Sequence, residues 1–376
     1  MSLKPIRDEI DKIDDQLIEL FTKRMECSRK VAEYKMDNGL PIFNAEREQE
    51  ILETVYKKAG QHGDSAKMLY STIMELSRAL QHDMLGSGDK LRNEITSATS
   101  DIPFQSSDIK VACFGVPGTY AHQATKKVFP ESTPQFCARF QDVFSAIQND
   151  EAGFGVIPIE NSSAGSVTDV YDLMLQYRFY IAAEVDIPVN HCLAAKSGTK
   201  LSDIKKIYSH QQGLSQCSDF INGHSLTAES YVITAATAKM ISEQDNKAYA
   251  AICSEDAAEK YGLEIILRGF QNNPNNCTRF IVISKKMFIS ENADKISLCF
   301  SLPHVTGSLY STLCRFAVHG LNLTKIESRP IFGKSFEYFF YLDFTGNVKE
   351  KSVINLLCAL SDELAEFSFL GNYKEV

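Results

Sequence analysis

Apolar residues in the first 85 positions recur every three or four places. Ile6, Ile10, Ile13, Leu17 and Leu20 fall on one face, and no glycine interrupts before Gly39, so the spacing predicts one long amphipathic helix. "NGLPIF" (38–43) ends it. A second helix is expected from about Glu46, "GQHGD" breaks that, and "SAKMLYSTIMELSRALQHDML" predicts a third with Ser65 as its cap. The Ser-, Gly- and Asp-rich stretch that follows, 87–107, has weak periodicity and reads as a linker. From Lys110 the pattern changes to short apolar runs such as "KVACFG", "FGVIPIE", "FYIAAEVDIPV", "YAAIC" and "TRFIVIS", alternating with helical stretches. Alternation of this kind predicts an α/β domain at 108–286 with mostly parallel strands, whose ligand sits beyond the carboxyl ends of those strands. Residues 294–376 read strand, helix, strand, strand, helix, strand, a ferredoxin-like βαββαβ layout of the α+β class. The fold class is therefore multidomain, with an all-α three-helix segment at 1–86 leading the two mixed ones.

Composition narrows the function. At 376 residues and 44% hydrophobic content the chain can bury several cores. A formal charge of -9 argues against a nucleic-acid surface, which needs clustered Lys and Arg. The N-terminus "MSLKPIRDEI" is charged almost at once and no apolar run approaches membrane-spanning length, so the expectation is a cytoplasmic protein without membrane contact. Ten cysteines lie scattered without a CxxC pair, and the eight histidines are dispersed; they read as reduced, buried thiols and suggest no metal site.

Cations mark the helical segment. Arg24 and Lys35 fall within roughly 20° of each other around the first helix, whereas Arg7 lies about 100° away and some 25 Å along it, beyond the reach of one shared pocket. Asn44, Arg47 and Glu48 share a face of the second helix, as Ser77 and Gln81 do on the third. Spacing alone describes a solvated charged face as readily as a site. The run of "IRDEIDKIDDQLIEL", "KR", "VAEYK", "NAERE" and "LSRALQ" nevertheless resembles the all-helical chorismate mutases over nearly all 85 residues. That resemblance implies dimers with interlocking first helices, in which Arg7 of a partner chain joins Arg24 and Arg47 around the carboxylates of chorismate. It also implies that Lys35 and Gln81 bond the ether oxygen, that Glu48 meets the ring hydroxyl, and that Ser77 serves the carboxylate side. Asn44 stands where the family often has Asp. A pericyclic rearrangement needs only a fixed conformer and donors where charge grows.

In the α/β segment four strand-end stretches carry polar groups. "GVPGTYAHQA" contains Thr119, which suits a helix start or an anion contact. "IPIENSSAGSVTDVYDL" ends a strand on Glu160, Asn161 and Ser162, with Ser166 or Thr168 available to cap the next helix. "SHQQGLSQC" sets Ser209, His210, Gln211 and Gln216 at a strand-to-helix junction, and with no local carboxylate to orient it His210 reads as structural. In "CTRFIVI" Thr278 suits a strand opening and Arg279 an ion pair. Together the four resemble, in order and spacing, the motifs of prephenate dehydratases over about 108–285, with departures at Val116, Ala121 and Gln211. The resemblance implies two lobes similar to periplasmic binding proteins. It makes Thr278 the donor to the departing hydroxyl, gives substrate orientation to Thr119, Glu160, Asn161, Ser162, Ser209, Gln211 and Gln216, and has Phe280 shape the pocket.

The stretch 307–330, "GSLYSTLCRFAVHGLNLTKIESRP", resembles the ACT regulatory domain, with Ser308 and Tyr310 departing from the usual small and apolar residues. It implies an amino-acid effector, phenylalanine, bound between two chains at Gly307, Ser308, Leu309, Asn322, Glu327, Ser328 and Arg329. The combined expectation is a homodimer or dimer of dimers that converts chorismate through prephenate to phenylpyruvate without a cofactor, under feedback by phenylalanine. Dehydration of arogenate, or amino-acid sensing without catalysis, are the alternatives.

Overall fold

The computed structural model describes residues 3–376 except Ser87, Val232, Ile233, Phe332 and the side chain of Thr234. The chain divides into two discontinuous units, Met1–Ser97 with Lys295–Phe369, and Ala98–Asp294 with Leu370–Val376.

The first unit opens with α1 (Lys4–Asn38), α2 (Ala45–Ala59) and α3 (Gly63–Leu85). Pro5 suits the first turn of α1, where no N–H partner is required. The apolar stripe of α1 stays uncovered within one chain: Ile6, Ile13 and Leu17 are 54%, 49% and 54% exposed. Asn44 caps α2, its side chain accepting the Arg47 N–H at 3.0 Å. The expected cap of α3 is not Ser65. A 3-10 turn at Gly60–His62 leads into the helix, which begins three residues earlier with His62 at its N-cap, and no side chain caps it. The expected linker also holds structure, since α4 (Asp89–Thr96) buries Leu91 and Ile95. An Arg92 Nη2 hydrogen bond to Asn355 Oδ1 at 2.8 Å ties α4 down.

The second unit runs through β1 (Val111–Phe114), α5 (Tyr120–Val128), β2 (Gln135–Cys137), α6 (Phe140–Gln148), β3 (Phe154–Asn161), β4 (Gly165–Ser166), α7 (Thr168–Tyr177) and β5 (Tyr180–Pro188). A second lobe follows: β6 (Cys192–Ala195), β7 (Lys206–Ser209), α8 (Gln211–Gln216), α9 (Ser218–Gly223), β8 (Thr227–Ser230), α10 (Thr234–Glu243), β9 (Tyr249–Cys253), α11 (Glu255–Lys260) and β10 (Glu264–Arg268). The chain then returns as β11 (Cys277–Ser284). One sheet has the order β2-β1-β3-β11-β5 with β4 on β3, and the other β10-β6-β9-β7-β8.

Neither sheet is mostly parallel, contrary to the expectation from alternation. β1 runs parallel to β2 and β3, and β7 to β8 and β9, but β11 is antiparallel to β3 and β5, and β6 to β9 and β10. The chain crosses between the lobes twice, and a returning strand enters its sheet from the far end. Val111, Val156, Val185 and Val282 sit in the core of the first lobe. Separate clusters around Ala194, Ile241 and Ala251, and around Leu193, Ile207 and Ile252, cover the two faces of the second sheet. Full burial of each such aliphatic side chain is worth about 1.5–3 kcal/mol.

The rest of the first unit is β12 (Lys295–Ser301), α12 (Ser308–Val318), β13 (Leu323–Pro330), β14 (Tyr338–Thr345), α13 (Lys351–Glu363) and β15 (Ser368–Tyr373), in sheet order β13-β14-β12-β15. This is the expected βαββαβ layout, with β13 at an edge.

Candidate functional sites

A cavity of about 430 Å³ opens among the first three helices, lined by Arg24, Lys35, Asn44, Arg47, Glu48, Ser77 and Gln81. Arg7 does not line it, in keeping with its distance along α1. Helical spacing explains the convergence: Ser77 and Gln81 occupy one face of α3, and α1 crosses that face with Arg24. The Arg24 Nη1 donates to Ser77 Oγ at 2.7 Å, and that hydroxyl donates to the Ile73 carbonyl at 2.9 Å. Lys35 Nζ donates to the Ile42 carbonyl at 2.5 Å. Burial lowers the Lys35 pKa, Glu48 opposes the shift, and Arg78 adds to it. Gln81 Nε2 donates to the Ser77 carbonyl at 3.1 Å, while its Oε1 is buried with no partner among the described residues. An unpartnered buried acceptor at a cavity wall is costly unless a ligand meets it. Arg47 points outward enough to pair with Glu50 at 2.8 Å. The sequence reading missed Arg78, which lines the same cavity and bonds Glu48. A cavity with this donor set suits a small dianion.

The second site gathers where β11 re-enters the first lobe. Thr278 pairs across the sheet with Asn161, and Arg279 with Glu160. Asn161 is buried, and its Nδ2 donates to Thr278 Oγ1 at 2.9 Å, to Asn276 Oδ1 at 2.9 Å and to the Cys277 carbonyl at 3.1 Å. Its Oδ1 accepts the N–H groups of Ser163 and Ala164 at 3.0 and 2.9 Å. Thr278 therefore acts as acceptor toward the protein, and its O–H has no protein acceptor among the described residues. Ser162 Oγ accepts the Cys277 N–H at 2.9 Å, closing the loop.

Several anticipated contacts fall elsewhere. Glu160 is held by Arg279 at 3.2 Å, and strand alternation turns it away from Thr278. Arg279 also lies 3.5 Å from Glu184 and 3.3 Å from Asp186, so it is the ion-paired residue its sequence context suggested. Ser209 is fully buried and donates to the Ile252 carbonyl at 2.8 Å, which leaves it structural rather than facing a ligand. Phe280 is buried in the first-lobe core instead of lining a pocket. Thr119 caps α5, its oxygen accepting the His122 N–H at 3.3 Å. His210 caps α8 by accepting the Gln212 N–H at 3.3 Å. Neither Ser166 nor Thr168 caps α7, whose N-cap is Val167. Gln211 is an exposed first residue of α8.

Gln216 has a partner that no motif announced. His191 Nε2 lies 2.9 Å from Gln216 Oε1, and His191 Nδ1 lies 3.3 Å from the Tyr120 hydroxyl, which donates to the Asn190 carbonyl at 2.9 Å. Burial lowers the His191 pKa against the opposing Gln216 bond, and toward an amide oxygen the ring nitrogen is the donor. Asn190 and His191 sit on the first crossing between the lobes, between β5 and β6. Nearby, Gly118 meets α11 so closely that a Cβ there would lie 2.8 Å from the Ala257 Cα.

In the βαββαβ segment Ser308 lines a cavity of about 310 Å³ with Pro303, His304, Val305 and Tyr338. Gly307 precedes α12 with φ 87°, and Leu309 follows in its first turn. Asn322 accepts the Thr345 N–H through its carbonyl at 2.9 Å. Glu327, Ser328 and Arg329 lie on edge strand β13, outside the cavity lining. Among the described residues no His, Cys, Asp or Glu cluster suits a metal, and no helix is long and apolar enough to cross a membrane.

A cation-lined helical cavity and a hydroxyl poised where β11 re-enters the first lobe call for different chemistries, which makes the class an enzyme with two reaction sites on one chain. The profile of chorismate mutase type II matches residues 6–82, and that of prephenate dehydratase matches 111–288. The bifunctional chorismate mutase/prephenate dehydratase of Aquifex aeolicus is 34% identical over 99% of this chain and 97% of its own length. Arogenate dehydratase 2 of Petunia hybrida is 34% identical over 76% of this chain and 77% of its own. The prephenate dehydratase of Arthrobacter aurescens, solved in complex with L-Phe, is 31% identical with a TM-score of 0.66, covering 71% of this chain and 90% of that one. The chain belongs to the bifunctional chorismate mutase/prephenate dehydratase family, and carries both enzymatic activities.

Proposed function

We propose that the helical cavity rearranges chorismate to prephenate and that the site at Thr278 converts prephenate to phenylpyruvate. In the first step Arg24 and Arg47, with Arg7 from a second copy, hold the two carboxylates, Ser77 steadies Arg24, and Glu48 meets the ring hydroxyl beside Asn44. Lys35 and Gln81 stabilise the ether oxygen as the C–O bond breaks. For Gln81 the second Nε2 hydrogen is the donor, the first staying on the Ser77 carbonyl.

In the second step the bond electrons of the departing CO2 aromatise the ring and expel the ring hydroxyl. A proton must reach that oxygen so that it leaves as water, and the Thr278 O–H hydrogen-bonds it as charge develops. The observation that supports this most is the Asn161 amide, which occupies the Thr278 oxygen as a donor at 2.9 Å and leaves its proton for a ligand. Gln216 offers its amide to a carboxylate, and Thr119, Ser162, Ser209 and Glu160 act by shaping the loops around the substrate.

The C-terminal βαββαβ segment is read as an ACT domain that senses phenylalanine through Gly307, Ser308, Leu309, Asn322, Glu327, Ser328 and Arg329, a reading supported by the L-Phe complex of the Arthrobacter relative. The uncovered stripe of α1 supports a homodimer, the working state being a dimer or a dimer of dimers in the cytoplasm, with segments 1–86, 108–286 and 294–376 as domains. A second reading of the dehydratase site, arogenate as substrate, draws on the Petunia relative's name. Assays of the full chain and of Thr278→Ala with prephenate and with arogenate, each with and without phenylalanine, test all of this. Thr278→Ala is expected to lose about 10²–10³ in dehydratase kcat and none of the mutase activity. Equal rates would remove Thr278 from the mechanism, indifference to phenylalanine would remove the sensor, and faster turnover of arogenate would favour the second reading.

A further inference from the structure

Arg78 borders two cavities. It lines the mutase cavity, and it lines a small space of about 20 Å³ walled by α3, α12 and α13. Its Nη1 donates to Glu48, on the mutase cavity wall, and its Nη2 donates to Glu75 one turn back on α3. Its Nε is buried without a hydrogen-bond partner among the described residues, 3.6 Å from Glu363 Oε2. Arg315 of α12 completes the circuit, with Nε donating to Glu75 Oε2 at 2.7 Å and Nη2 to Glu363 of α13. His82 donates to the other oxygen of Glu363.

Two guanidiniums are thus shared among three carboxylates, and the side chains of Arg78, Glu75 and Glu363 are only 8%, 6% and 8% exposed. In so dry a cluster, removing the Glu363 charge takes a carboxylate from both guanidiniums, leaving Arg78 to Glu48 and Glu75 and Arg315 to Glu75 alone, and the planar fork of Arg78 re-aims. The part of Arg78 that re-aims is the part that holds Glu48. Glu48 is also the carboxylate that opposes the lowered pKa of Lys35, so its position reaches two members of the site.

We propose that Arg78 is a positioning residue of the mutase step, fixing Glu48 at the cavity wall, and that the C-terminal βαββαβ segment fixes Arg78 through Glu363 and Arg315. The mutase site is then completed from α12 and α13, and a ligand that moves those helices is felt by chorismate. This rests on the assignment of Glu48 to the mutase site. The test separates the two claims, using the full-length protein and both assays.

Glu48→Gln alone examines the assignment, and unchanged mutase kinetics would end it. Arg78→Gln is expected to raise the KM for chorismate by about tenfold or more, and Glu363→Gln to shift it the same way by a smaller factor, with prephenate dehydration unaltered. A loss of correctly folded protein would instead lower apparent kcat at constant KM. The Glu48→Gln/Arg78→Gln double variant should be no worse than Glu48→Gln alone, because Arg78 acts through Glu48. Losses that multiply in the double variant overturn the proposal while leaving Glu48 in the site. If Arg78→Gln does not fold, Glu363→Gln decides, and a wild-type KM in that variant overturns it as well.

Discussion

Asn161 holds the Thr278 oxygen with one amide hydrogen while its own carbonyl oxygen takes two backbone N–H groups. Asn161→Asp exchanges that donor for a second acceptor, so the Thr278 proton turns toward the protein and the Asn276 and Cys277 oxygens face a carboxylate. Dehydratase kcat should fall about a hundredfold, the scale of one misdirected donor, while mutase kinetics measured on the same sample stay unchanged. Lys35 makes a pH prediction. In its proposed role it is a protonated donor, and burial lowers its pKa, so mutase kcat/KM should decline on the alkaline side at a pH below the ordinary lysine range. Lys35→Arg, whose guanidinium keeps its proton, should lose that alkaline limb in whatever activity it retains, as a pH–rate profile would reveal. Most of the helical cavity was legible because Arg24, Lys35, Glu48, Ser77 and Gln81 repeat at helical spacings and match a family pattern. Arg78 adjoins Ser77 in sequence and still went unread, because its meaning lies in Glu363 and Arg315, which a local pattern does not bring near. His191 was illegible for the same reason: a lone histidine acquires its role only from Gln216 and Tyr120.

Helices and strands were legible as elements, and their directions and partners were less so. "DKLRNEIT" offers only Leu91 and Ile95 as apolar residues, too few to signal a helix, and it is the contact with α13 that buries them. Strand polarity in the α/β unit follows from where the chain re-enters each sheet, which hydrophobic alternation does not encode. Ser209 and Phe280 were misassigned because a motif records which residues recur together, and burial decides which of them face the ligand. One junction between elements permits a direct test. Gly118 has φ 89°, and a Cβ there would lie 2.8 Å from the Ala257 Cα, while its carbonyl accepts the Ser254 hydroxyl at 2.5 Å. Gly118→Ala should therefore push the start of α5 away from α11, with a stability loss of about 1–3 kcal/mol from overpacking and strain. Denaturant unfolding and dehydratase activity should both register it.

Across the whole molecule, the uncovered stripe of α1 gives the assembly its own test. Ile13→Glu with Leu17→Glu places charge on that stripe without touching the residues of either site. Light scattering should then report a smaller assembly, and if Arg7 is supplied by a second copy as proposed, mutase activity should collapse with it. Prephenate dehydration should persist, and an unchanged mass would refute the role of the stripe. The division of the chain into interleaved units carries one more consequence. Residues 370–376 belong with 98–294, and Val376 donates its N–H to the Glu184 carbonyl at 2.9 Å while Glu184 bonds back to Lys374. During synthesis, then, the lobes around Thr278 emerge from the ribosome early but stay unfinished until the tail is made. A chain stalled before residue 295 would lack Arg315 and Glu363 beside Arg78 as well as the tail, so both units wait for the last third of the chain.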